Sequence, residues 1–101
     1  MIKVKITKEG SLIKKIIITG HANYAEYGKD IVCAATSATV LTTLNGIIAL
    51  DNSILEVKEE QDKMTINILK EDNTSIILID NMINCLNKLA IEYPKNIKIE
   101  I

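Results

Sequence analysis

Ile31-Val32-Cys33-Ala34-Ala35-Thr36-Ser37-Ala38-Thr39-Val40-Leu41-Thr42-Thr43-Leu44-Asn45-Gly46-Ile47-Ile48-Ala49-Leu50 runs for twenty residues without a charge. How this stretch is read decides the fold. An uncharged run of such length is long enough to span a bilayer. Six polar side chains stand against that reading: Thr36, Ser37, Thr39, Thr42, Thr43 and Asn45. The flanks also pattern as strands of a soluble domain. The run therefore reads as a buried helix with small residues near its start. Apolar on all sides, it must be covered on most of them, by a sheet and by a partner subunit.

Upstream, Ile2, Val4 and Ile6 alternate with Lys3, Lys5 and Thr7, the period of a half-buried strand. Lys8-Glu9-Gly10-Ser11 is a turn, and the β-branched stretch from Leu12 to Thr19 completes a hairpin. Gly20, Asn23 and Gly28 favour irregular backbone, which places a loop over residues 20–30. Downstream, Ile54–Lys58 and Met64–Leu69 form a second hairpin across the polar turn Glu59–Lys63. Asn73 or Thr74 caps a helix reaching about Tyr93, with Ile76, Ile79, Ile83, Leu86 and Ala90 at helical spacing. Pro94 stops it, and Ile97, Ile99 and Ile101 alternate as a last strand. The order β-β-α-β-β-α-β predicts an α+β fold, a largely antiparallel sheet packed with two helices.

The chain has 101 residues, which suits one domain spanning 1–101. Hydrophobic residues make up 48%, but there are three Tyr and no Phe or Trp, so aliphatic packing must supply the stability. A lone domain of this size buries only roughly 60–65% of its unfolded surface, which favours pairing with a second copy. Twelve basic and thirteen acidic residues leave a net charge of −1, without the basic footprint that phosphate binding needs. No direct nucleic-acid contact and no membrane span are expected. Met1-Ile2-Lys3-Val4-Lys5 opens without an apolar signal region, so a cytoplasmic protein with free thiols is expected. One His and two Cys cannot build a four-ligand zinc site within one chain, and no metal or other cofactor is expected.

The chemistry converges on the start of the uncharged helix. With Asp30 as N-cap, Cys33 is the third helical residue and its sulfur lies at the positive end of the helix dipole. A helix N-terminus favours the thiolate, the nucleophilic form. His21, the only histidine, opens the loop twelve positions earlier and supplies a base if the second strand packs beside the helix start. Gly20 before it lets backbone come close to whatever binds there. Asp30 is placed either to cap the helix or to orient the imidazole. Ser37, one turn beyond Cys33, is either a supporting hydrogen-bond partner or a small packing residue. Cys85, amid Met82, Ile83, Leu86 and Leu89, reads as an inert core or interface thiol.

Gly20-His21-Ala22, Tyr24-Ala25-Glu26-Tyr27-Gly28-Lys29-Asp30-Ile31-Val32-Cys33-Ala34-Ala35 and Ser37 together resemble the signature of the ribosomal-processing cysteine proteases. The likeness extends over nearly the whole chain in length and element order. It implies a homodimeric bacterial cysteine endopeptidase that removes an N-terminal extension from the large-subunit ribosomal protein numbered twenty-seven. Cleavage follows an aromatic pair in an apolar stretch. The family's nucleophile and base match Cys33 and His21, and its motif Asp and Ser match Asp30 and Ser37. Its mobile flap over the substrate cleft matches Ala22 to Ile31, where Tyr24 and Tyr27, beside Gly28, are placed to receive an apolar side chain. Thr36 stands where the family more often has Val. On the residues alone two other classes remain: a non-enzymatic ribosome-associated binding module, and a thiol redox protein, which lacks a Cys-x-x-Cys pair.

Overall fold

The alternation at the N-terminus becomes strand β1 (Ile2–Glu9), with Ile2, Val4 and Ile6 buried and Lys3, Lys5 and Thr7 exposed. In the computed structural model, which describes residues 1–101, β1 turns into β2 (Leu12–Thr19). Helix α1 (Ile31–Leu50) follows, then β3 (Leu55–Glu60), β4 (Lys63–Ile68), α2 (Asn73–Glu92) and β5 (Ile97–Glu100). The five strands form one sheet in the order β3-β4-β2-β1-β5. Three neighbouring pairs are antiparallel, and β5 joins β1 in parallel. The expected element order and the largely antiparallel sheet with two helices are both present.

Both helices pack against each other and on the sheet face carrying Ile2, Val4, Ile16, Ile66 and Ile97. The core is aliphatic throughout, with Ile16, Ile47, Ile66, Met82 and Leu86 sealed from solvent. Helix α1 contributes a single stripe: Val32, Thr36, Val40, Leu44 and Ile47. By length and composition it is apolar enough to cross a membrane, but this stripe gives it the role of a core helix. Its polar residues cost little, because the Thr36, Thr39 and Thr43 hydroxyls donate to the carbonyls four residues back, at 2.8–2.9 Å. Thr36 is thereby satisfied in a buried position where its hydroxyl would otherwise be a penalty. Cover on most sides is not achieved within one chain: Ile31, Leu41, Ile48 and Leu50 stay exposed.

Three local expectations are corrected. The α2 N-cap is Asp72, one residue before the expected pair, and its carboxylate accepts the N–H and the hydroxyl of Ser75. The second hairpin closes more tightly than a five-residue turn, leaving only Gln61 and Asp62 between β3 and β4. Cys85 is exposed and not a core thiol. The buried stripe of α2 passes through Ile79, Met82, Ile83 and Leu86, so the residue before Leu86 is rotated to the outside.

Candidate active site

Cys33 sits in the first turn of α1, and Asp30 caps that turn by accepting the Cys33 N–H at 2.9 Å through Oδ1. The other carboxylate oxygen accepts the N–H groups of Tyr24 at 3.0 Å and Ala25 at 3.4 Å. Asp30 thus ties the loop to the helix start with both oxygens. These donors, the Cys33 N–H foremost, hold its carboxyl below the usual carboxylate range. Of the two roles open to Asp30, the cap is the one its hydrogen bonds show, and the imidazole has its carboxylate contact with Asp62 instead.

His21 arrives from the other side. Antiparallel pairing of β2 with β4 sets Thr19 opposite Lys63, so the chain leaving β2 runs beside the β3–β4 turn. Gly20 donates its N–H to the Asp62 carbonyl at 3.1 Å. Its φ is +83°, and a Cβ there would collide with the Met1 carbonyl. The close approach at Gly20 is therefore to the protein's own N-terminus. One residue on, the His21 imidazole places Nε2 2.7 Å from Asp62 Oδ1.

A single open cleft of about 580 Å³ is lined by His21, Cys33, Asp30 and Ser37, with Tyr27 and Gly28 at its rim. His21 and Cys33 share this cleft without a hydrogen bond between them. Beyond Ser37 a second depression continues between α1 and the β3–β4 turn, floored by Ile18, Val40, Leu41 and Met64. Ser37 is exposed where the two meet.

The loop divides into a pinned half and a free half. Ala22 is buried and its carbonyl accepts from Asn96 Nδ2 at 3.0 Å. Tyr24 does not line the cleft: its ring stands edge-on to Tyr93, centroids 5.3 Å apart. Glu92 beside Tyr93 pushes that phenol's pKa up. After Ala25 the chain swings out, and Tyr27 is fully exposed, with Gly28 at φ +85°. Of the two tyrosines only Tyr27 borders the cleft.

Asp62, Asn96 and Tyr93 were not singled out by the sequence. Each meets the loop through a register or a chain reversal far away in sequence, so no local pattern marks it. No cluster of His, Cys, Asp or Glu suited to a metal ion occurs in the fold.

A family model described as cysteine protease Prp matches residues 1–98. The ribosomal processing cysteine protease Prp of Staphylococcus aureus is 30% identical over 103 residues, covering 98% of this chain and 97% of that protein. A crystal structure of S. aureus Prp with a covalently linked product peptide superposes with a TM-score of 0.93 at 28% identity, covering 99% of this chain and 98% of the other. A second, with a substrate peptide, superposes with a TM-score of 0.86 at 27% identity and the same coverage.

Proposed function

The chain belongs to the Prp family and is a cysteine protease of ribosomal processing, and from that premise we propose that Cys33 is its nucleophile and His21 its general acid–base. One observation carries the assignment: the only histidine and the helix-start thiol, from different elements, line one cleft. Membership of the family sets aside the binding-module and redox alternatives.

In the proposed reaction His21 takes the thiol proton and Cys33 Sγ attacks the scissile carbonyl. The tetrahedral intermediate collapses as His21 returns the proton to the leaving amine, giving a thioester. Water, deprotonated by His21, hydrolyses the thioester and regenerates the thiol. The oxyanion needs preorganised N–H donors. The Cys33 N–H, at the helix start, is already donated to Asp30. The N–H of Ile31 meets no backbone carbonyl and is the first-turn donor proposed instead.

The proposed substrate is the N-terminal extension of the large-subunit ribosomal protein numbered twenty-seven, cut after an aromatic pair in an apolar stretch. The apolar floor of Ile18, Val40, Leu41 and Met64 beside the cleft suits such side chains. Tyr27 and Gly28, at the free end of the loop, are proposed to fold over the bound peptide. Asp30 acts as the latch of that loop, and Ser37 contacts peptide where the two depressions meet. The working unit is proposed to be a cytoplasmic homodimer, joined through the part of α1 around the exposed Ile48, outside both depressions.

Incubation with a peptide carrying the aromatic-pair sequence, followed by mass spectrometry, tests this. Wild type is expected to cut after the pair under reducing conditions. Cys33→Ala is expected to bind without turnover, and His21→Ala to lose about 10²–10⁴-fold in rate. Turnover by Cys33→Ala at the wild-type rate, or none by wild type, contradicts the assignment.

A further inference from the structure

We propose that Asp62, in the β3–β4 turn, is the positioning residue of His21: it fixes the Nε2–H tautomer and leaves Nδ1 to take the Cys33 proton. This deepens the reading of His21 as the base and rests on it.

Asp62 Oδ1 lies 2.7 Å from His21 Nε2, and an ionised carboxylate only accepts. The proton at that contact therefore resides on Nε2, in the neutral as in the charged ring. In the neutral ring the one remaining lone pair is on Nδ1, and a base must present a lone pair. Asp30, the acidic residue lining the cleft, is engaged elsewhere: its oxygens accept the N–H groups of Cys33, Tyr24 and Ala25.

The turn is also built to keep the carboxylate there. Asp62 adopts φ +59°, a left-handed conformation that Asp and Asn tolerate better than other side-chain-bearing residues. Its carbonyl accepts the Gly20 N–H, so turn and loop are joined by backbone on one side of His21 and by side chain on the other. The imidazole is otherwise well exposed, with 61% of its side-chain surface open, so the Asp62 contact is what holds its orientation. A nucleophile–base pair whose base is oriented by a third group follows the general logic of such sites.

The test uses Asp62→Gly, which removes the carboxylate but suits the left-handed backbone, and Asp62→Asn, whose amide oxygen still accepts from Nε2–H. For Asp62→Gly, kcat on the cleavable peptide is expected to fall about 10²-fold, the lower end of what a positioned base contributes, with KM changed far less. Asp62→Asn is expected to recover most of that loss. Independently of turnover, ¹⁵N NMR of the His21 ring in the Cys33→Ala background is expected to report the Nε2–H tautomer. In Asp62→Gly combined with Cys33→Ala that population is expected to become mixed. Equal or faster turnover by folded Asp62→Gly overturns the proposal, as does an Nδ1–H tautomer with Asp62 present. If wild type fails to cleave, the assignment of His21 as base fails, and the NMR result still decides what Asp62 does.

Discussion

Asp30 holds three backbone N–H groups on two oxygens, which gives a physical reason for an acidic residue three positions before the thiol. Its depressed pKa has a definite sign. Because the folded value lies below the ordinary 3.8, the carboxylate contributes stability above that pH, and the contribution is lost as pH falls through the folded value. Asp30→Asn is therefore expected to melt earlier than wild type at neutral pH, and the gap is expected to close in the acid range below 3.8. Thermal unfolding followed across that range checks it; a gap independent of pH contradicts it. At this scale Cys33 and its cap were legible because capping is local, decided within four residues. Asp62 was not, since its place beside His21 depends on how β4 registers against β2.

Among the elements, α1 shows what composition reveals and what it conceals. Its bounds were read correctly because Asp30 and Asp51 bracket an uncharged run. Which side faces the core was not legible, since an apolar helix with no polar face carries no periodic signal. In α2 the stripe was legible, but the cap was displaced to Asp72 because three successive residues, Asp72, Asn73 and Thr74, are all capping types. The loop before α1 reads as one irregular segment, yet Asn96, Tyr93 and Asp30 immobilise its first half. Leu41 and Ile48, seven residues apart, share an exposed face of α1. Ile48 belongs to neither depression of the site. Gel filtration is expected to give a dimer for wild type and a monomer for Ile48→Glu; wild type eluting as a monomer contradicts the role given to this face.

For the whole molecule, seven elements in the right order were legible because strand and helix periods alternate cleanly along the chain. The sheet order was not, and it matters most for function. Placing β2 between β1 and β4 puts the Gly20–His21 corner against the β3–β4 turn on one side and Met1 on the other. Helix α1 then delivers Cys33 to the same cleft. The fold thus brings the proposed base, nucleophile and orienting carboxylate, His21, Cys33 and Asp62, together from three segments that are distant in sequence.

That assembly makes a claim about the two thiols that exposure alone would reverse. Cys85 is exposed on α2, whereas Cys33 is partly buried at the start of α1. If access governed reactivity, Cys85 would alkylate first; if the helix start and His21 activate Cys33, the order inverts. Limited iodoacetamide near neutral pH, resolved by peptide mass spectrometry, measures both rates in one sample. Cys33 is expected to be modified much faster than Cys85, with peptidase activity disappearing in step. Equal rates, or Cys85 reacting first with activity lost in step, would contradict Cys33 as the nucleophile.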